Sequence, residues 1–428
     1  MRYAVVGLGS RSLMYTSALL GEHRAAGELV GLCDVNSTRM RWYNQLFQRE
    51  YGAAEMPAYK PEDFVRMLKE QKVDAVIVTS VDRTHHRYII QAVQQGCDVI
   101  TEKPLTTDAQ RAPAIVDAVE ETDRRVTVAF NYRYAPRNAR VKELLDKGVV
   151  GDVLSMHFEW LLDTKHGADY YRRWHRDKRN SGGLMVHKAS HHFDLVNWWL
   201  KARPESVFGF GRLAFYGREN AEARGETRFY ERAHGSELAR NDPFAVDLEA
   251  DPALKGLYLD AEQEDGYLRD RSVFADGISI EDDMALVVRY NTGATMSYHL
   301  HSYSPWEGYR VAFNGTRGRL EMDVVERSYV SGAMDDPQRP DLRALPALGQ
   351  ESVRITVRPH WAAPEEVTID DAGGGHSGAD VRLLADLFGP KDRTPSYVDG
   401  VYAILPGIGA NQAFASGRPV DLTRLVRV

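Results

Sequence analysis

Arg2-Tyr3-Ala4-Val5-Val6-Gly7-Leu8-Gly9-Ser10-Arg11-Ser12 decides the fold. A short apolar run meets a Gly-x-Gly turn, and Leu13 to Leu20 then reads as a helix. A lone Gly-x-Gly is weak, but strand, glycine turn and helix together carry meaning. Gly7 permits the tight turn. Gly9 lets a diphosphate reach backbone N–H groups at a helix N-terminus, with Ser10 and Arg11 beside it. Ser12 stands where a third glycine is usual and is small enough for close helix–strand packing.

Outward from this turn, strand-like and helical runs alternate. Leu29 to Cys33 is apolar and ends in Asp34, roughly where an acidic residue holds an adenosine ribose by its hydroxyls. That favours NAD. Arg39 nearby would instead meet a 2′-phosphate, which keeps NADP open; Asp34 also reads as a cap for a helix starting near Ser37. Val73 to Val78 is a further strand ending in Thr79-Ser80, and Asp82 or Thr84 caps a helix through Gly96, with His85 near its start.

Asp98-Val-Ile-Thr-Glu102-Lys103-Pro104 is a strand that stops at a glutamate, a lysine and a proline. The proline disfavours helix at Lys103, so this lysine stays extended at the strand end. A Glu–Lys ion pair in a loop is the bland alternative. A helix over Asp108 to Thr122 leads to strand Val126 to Phe130, which ends in Asn131-Tyr132-Arg133-Tyr134. Alternation of this kind predicts an α/β doubly wound sheet over residues 1–134. Ligands bind at the carboxyl ends of such strands. Thr79, Ser80, His85, Glu102, Lys103 and Asn131 are therefore candidate nucleotide contacts, and Tyr132 and Arg133 candidate pocket residues.

Residues 135–428 read as an α+β domain. Val153 to Leu162 alternates like a half-buried strand. Asp163 to Ser181 reads as a polar loop crowded with His166, Arg173, Trp174 and other aromatic and basic residues, which suits a sugar or anion pocket or simply a solvated loop. Gly182-Gly183 opens a helical stretch to Leu200 that carries His187, Lys188, His191, His192 and Asp194; residues 187, 191 and 194 share one face. Residues 216–276 form a long charged excursion, partly helical. Asp282 to Tyr290, Ala294 to Tyr303, Tyr309 to Asn314 and Arg319 to Asp323 read as strands of an antiparallel sheet. His376 lies in a glycine-rich bend before helices at Val381 to Phe388 and Tyr397 to Ser416.

The totals narrow the class. With 428 residues, two domains are expected. A net charge of −7 without a long basic run argues against nucleic acid as a partner. Cys33 and Cys97 sit in apolar runs, which points to free thiols and a reducing, cytoplasmic setting. No signal-peptide pattern precedes the glycine loop, and no run has the length of a membrane span.

The glycine loop, Glu102-Lys103-Pro104, Asn131-Tyr132-Arg133-Tyr134 and the Gly-Gly helix bearing His191 and Asp194 resemble the glucose–fructose oxidoreductase / inositol dehydrogenase / rhizopine-catabolism family, Gfo/Idh/MocA. The resemblance spans essentially the whole chain. It implies a Rossmann domain, a C-terminal domain with a large, mostly antiparallel sheet, a nicotinamide nucleotide, and hydride transfer at a sugar or polyol carbon, with Lys103 and His191 at the reacting centre. It also implies a homodimer or homotetramer. His187 departs from the aspartate that many members carry there.

Oxidising a secondary alcohol needs a base within hydrogen-bond reach of the hydroxyl. His191 is the expected proton acceptor, with Lys103 polarising the alkoxide; Lys103 as the base, its pKa lowered by burial, is the alternative. His187 would assist or orient the sugar. A zinc pair at His187 and His191 is disfavoured: the glutamate of the zincin motif is missing and Lys188 would crowd a cation. No metal is expected. The expected reaction is oxidation of a ring hydroxyl, from the resemblance at carbon 3, of a pyranose, glycoside or cyclic polyol. A redox-neutral glycosidase that oxidises, eliminates, adds water and reduces is the second reading, and a nucleotide-binding regulator the third.

Overall fold

The computed structural model describes residues 1–332, 352–369, 376–389 and 394–427, the side chains of 376 and 377 excepted. The first half is an alternation of strand and helix: β1 (Arg2–Val6), α1 (Ser12–Leu20), β2 (Glu28–Cys33), α2 (Ser37–Tyr51), β3 (Ala58–Tyr59), α3 (Phe64–Glu70), β4 (Ala75–Val78), α4 (His85–Gln94), β5 (Asp98–Thr101), α5 (Ala112–Thr122) and β6 (Val126–Val128). All pairings are parallel, in the order β3-β2-β1-β4-β5-β6. Every residue of β4 is buried, as an unbroken Ala-Val-Ile-Val run in a sheet covered on both faces requires. Asn36 caps α2 by accepting from the N–H groups of Thr38 and Arg39, while Met40, Tyr43 and Phe47 bury one face. The strand order reverses between β1 and β4, which opens a crevice at the carboxyl edge.

The chain leaves this sheet through α6 (Pro136–Asp146) into β7 (Val153–Asp163). The segment expected to be a polar loop after β7 folds as α7 (Thr164–Arg172), capped by Asp163 through the N–H groups of Lys165 and His166. Most of α7 is buried, and Gly167 lies against the Ser302 backbone, where a Cβ would find no room. α8 (Lys178–Ser181) also falls within the segment expected to be a loop. After a turn at Gly182-Gly183, the helix expected to run to Leu200 is assigned as α9 (Leu184–His187) and α10 (Ala189–Leu200), joined at Lys188, which keeps helical φ and ψ. Both glycines have positive φ, which an ordinary residue adopts only under strain. His187, His191 and Asp194 meet three different sets of partners: Asp82 and Lys103, the Tyr132 ring, and Arg133.

β8 (Pro204–Arg212) is followed by the excursion, which contains α11 (Arg218–Ala223), α12 (Pro252–Leu254), a π-helical turn over Lys255–Leu259, and α13 (Glu262–Asp265). Leu248, Leu254, Leu257 and Tyr258 pack into the same core as Tyr15 and Tyr43 of the first domain. Then come β9 (Asp283–Tyr290), β10 (Thr295–Ser304), β11 (Glu307–Gly315), β12 (Gly318–Arg327), β13 (Ser352–Pro359), β14 (Glu365–Val367), α14 (His376–Phe388), α15 (Tyr397–Ser416) and β15 (Val420–Asp421). The second sheet has the order β14-β13-β12-β11-β7-β10-β9-β8-β15. Its pairs are antiparallel except β10 with β7, a parallel contact that the long helical crossover between them allows. α14 begins at His376, within the expected bend and five residues before Val381; the His376 side chain lies outside the described residues. Among the described residues, no helix is long and apolar enough to cross a membrane. Cys33 and Cys97 are free and buried.

Candidate active site

A cavity of about 870 Å³ runs along the crevice and into the second domain. It brings together Gly7, Gly9, Ser10, Arg11, Asp34, Arg39, Thr79, Ser80, His85, Glu102, Lys103 and Asn131 with Tyr132, His166, Arg173, Trp174, His187, Lys188 and His191. Two residues expected at the site are elsewhere. Ser12 is buried, its Oγ bonded to the Gly9 carbonyl at 2.8 Å and to the Tyr43 hydroxyl at 2.6 Å. Arg133 turns away from the cavity and clamps Asp194 at 2.5 and 2.7 Å and Asp399 at 2.9 Å. A guanidinium between two carboxylates is satisfied internally, so its place at a strand end does not deliver it to a ligand.

At the nucleotide end, Gly7 has φ +88°, and a Cβ there would lie 2.4 Å from the Ser80 N and Cα. The Asp34 carboxylate accepts from Leu8 N at 2.6 Å and Asn36 N at 2.8 Å, which fixes it at the cavity wall. Ser10 N–H, in the glycine turn ahead of α1, donates to the Tyr258 hydroxyl at 2.9 Å, so that amide already faces an oxygen across the cleft. Glu102 accepts from Arg11 Nε at 2.6 Å and Tyr15 OH at 2.8 Å; Arg11 and Asn131 both reach Asp380 on α14. His85 ties Pro104 O to Ser80 O, and Thr79 Oγ1 donates to Gly7 O at 2.6 Å. The tight glycine turn, the fixed carboxylate and the oxygen-seeking amide fit a dinucleotide. Gly7, Gly9, Ser10 and Asp34 would hold it, and it would supply the hydride acceptor.

At the other end, three buried groups form a chain. Asp82 Oδ2 lies 2.5 Å from His187 Nδ1, and Lys103 Nζ lies 3.1 Å from His187 Nε2 and 3.2 Å from its carbonyl. With the His187 proton on Nδ1 toward Asp82, Nε2 is the acceptor for Lys103. Burial of the ammonium lowers Lys103 to about 8, against the opposite pull of Asp82 and Glu102. Burial, then the Lys103 charge, pushes His187 well below its usual range, and burial pushes Asp82 up.

His191 lies flat on the Tyr132 ring at 4.4 Å, and its buried Nδ1 has no hydrogen-bond partner. Burial, with Lys103 and Lys188 adding to it, holds His191 neutral. Lys188 donates to Tyr132 OH at 2.7 Å and sits over the Tyr132 and Trp160 rings. Trp174 stacks on His175 at 3.6 Å, and His175 meets His187 edge-on at 4.3 Å. His166 Nδ1 pairs with Glu307 at 2.6 Å, and Arg173 with Asp169 at 3.0 Å. His192 is packed between Trp160 and the Tyr298 hydroxyl, and Trp199 is core. Among the described residues, no group of three or more His, Cys, Asp or Glu is arranged to hold a metal ion.

Sequence reasoning overlooked several wall residues. Asp82 read as a helix cap, although its place just after β4 put it at the ligand edge. Tyr258, Asp265 and Tyr267 line the nucleotide end from within the excursion, and Asp380 lines it from α14. No local pattern marks them, because they arrive by folding over from the second domain.

Comparison with known proteins agrees with this geometry. The profile described as the oxidoreductase family, NAD-binding Rossmann fold, matches residues 1–130, and its C-terminal alpha/beta domain matches residues 142–422. YteT of Bacillus subtilis (strain 168), which bears the name of an oxidoreductase, is 34% identical, with 99% of this chain and 98% of YteT aligned. The scyllo-inositol 2-dehydrogenase (NAD(+)) of the same organism is 28% identical over 50% of this chain and 58% of its own. The crystal structure of scyllo-inositol dehydrogenase from Lactobacillus casei, with bound NAD(H) and scyllo-inositol, superposes with a TM-score of 0.61 over 99% of both chains; at 15% identity it shows the fold alone. The chain belongs to the Gfo/Idh/MocA family and is an NAD-dependent oxidoreductase.

Proposed function

We propose that the protein oxidises a ring hydroxyl, at carbon 3, of a pyranose, glycoside or cyclic polyol, with Lys103 as the base. The observation that carries this reading is the Asp82–His187–Lys103 chain at the end of a nucleotide-sized cavity. A lysine lowered to about 8 is partly neutral near pH 7–8 and accepts a hydroxyl proton at Nζ. The new ammonium then donates to His187 Nε2, and His187 Nδ1–H is held by Asp82. This reading moves the base from His191, where the sequence favoured it, because the buried His191 Nδ1 lacks such a partner and burial lowers His191 well below its usual range, which makes it a weak proton acceptor. His191 and Lys188 then bond neighbouring hydroxyls, and Trp174 and Tyr170 pack on the apolar face of a sugar ring.

The cavity also holds His166 and His175, two imidazoles beyond those the oxidation needs. They favour a second reading, in which elimination of a glycosidic group follows oxidation and the net result is hydrolysis. Incubation of the purified protein with NAD and a panel of glycosides, free hexoses and inositols tests both. NADH with a product two hydrogens lighter supports the dehydrogenase; a released aglycone without NADH supports the glycosidase. Neither outcome across the panel, from a protein that binds NAD, would count against both.

A further inference from the structure

Arg39 stands where a guanidinium would receive the 2′-phosphate of NADP, yet two of its three nitrogens are already engaged, while Nη2 is buried without a hydrogen-bond partner. Its Nη1 lies 2.7 Å from Asp265 Oδ2 and 3.5 Å from Asp34 Oδ1, and its Nε donates to the Leu257 carbonyl at 3.0 Å. The Tyr258 and Tyr267 rings flank it at 5.9 Å each. Asp265 and Leu257 belong to the excursion of the second domain. That excursion is seated firmly on the start of α2: Glu264 accepts from Ser37 N and Thr38 N, and Asn36 Nδ2 donates to Ala261 O at 2.8 Å.

We propose that Asp265 is a specificity residue that makes this protein select NAD over NADP by neutralising Arg39 from across the domain boundary. Two carboxylates, Asp34 and Asp265, face one guanidinium. A ribose with a free 2′-hydroxyl donates to such a site, whereas a 2′-phosphate meets the net negative charge of two carboxylates around one guanidinium. Asp34 alone would leave Arg39 able to turn outward; Asp265, with the Leu257 carbonyl, holds it in place. Selection is thus built into the docked excursion and not into the first domain alone. The inference rests on nucleotide binding and is independent of the proposed substrate.

The test is titration of the full chain with NAD and with NADP, without substrate, by calorimetry. Wild type is expected to favour NAD. Asp265→Asn, nearly isosteric, is expected to raise affinity for NADP relative to NAD by about tenfold or more, the worth of a freed charge-assisted hydrogen bond. Adding Arg39→Gln to Asp265→Asn should abolish that gain. Asp265→Ser, which removes the same charge with different packing, should shift the ratio in the same direction if Asp265→Asn folds poorly. An unchanged ratio in both variants, an equal loss of both nucleotides, or a gain that survives Arg39→Gln would overturn the proposal. Wild type that binds neither nucleotide would overturn it together with the assignment of the nucleotide site, and is distinguished by failing before any substitution is made.

Discussion

Replacing Lys103 with methionine separates catalysis from stability, and the structure assigns opposite signs to the two. A base contributes about 10²- to 10⁴-fold, so Lys103→Met should lower kcat/KM for oxidation by about 3–5 kcal/mol of transition-state stabilisation. The same change should stabilise the fold. Burial lowers Lys103 from its ordinary 10.5 to about 8 in the folded protein, so the folded state disfavours the ammonium. That gap corresponds to roughly 3 kcal/mol. Lys103 keeps part of its surface on the cavity, and water there reduces this to about 2 kcal/mol. The sign follows from proton counting. Between pH 8 and 10.5 the unfolded chain binds more protons at this residue than the folded one, so wild-type stability rises through that window. The advantage of Lys103→Met is therefore full below pH 8, shrinks through the window and vanishes above it. Urea denaturation of the nucleotide-free protein at pH 7 and at pH 10.5 measures it, alongside NADH formation with the substrate found by the panel. A methionine variant that is less stable than wild type at pH 7, or that keeps most of its activity, would refute the reasoning.

The other predictions concern the groups around this lysine and the frame that holds it. Oxidation by wild type should rise with pH to an inflection near 8, where Lys103 loses its proton, and then level. Asp82→Asn removes a charge that raises Lys103, so the inflection should move down by about one unit; an upward move in the pH–rate profile would contradict the assignment. Gly7→Ala places a Cβ 2.4 Å from Ser80 at positive φ, and calorimetry should show NAD affinity lost together with about 1–3 kcal/mol of stability. Arg133→Ala leaves Asp194 buried without its partner and should cost about 3–5 kcal/mol in urea denaturation. Any protein that still folds should keep the wild-type KM for the substrate, since Arg133 does not line the cavity.

Local order and the nucleotide end were legible in the chain because their causes are local. Continuous apolar runs such as Ala75 to Val78 mark strands covered on both faces, and Gly7 and Asp34 follow the strands that carry them. Proline after Lys103 placed the lysine at a strand end without any tertiary knowledge. Side-chain partnership is different, since it depends on groups far apart in sequence. Lys103 meets His187 across 84 positions, and His187 meets Asp82 across 105. Helical periodicity put His187 and His191 on one face and both line the cavity, yet only the structure shows that His187 pairs with Asp82 and Lys103 while His191 stacks on Tyr132. Arg133 follows a sheet strand like the other site residues, yet Asp194 and Asp399 draw it inward. The excursion carries no periodic signal, so only its packing on α2 reveals that Asp265 reaches Arg39. The sequence by itself determined the two folds, the cofactor class and the lysine at the strand end, each encoded within a few neighbouring residues. Tertiary structure alone decided which acid, histidine and lysine come within hydrogen-bond reach of one another, because distance between remote segments sets that choice.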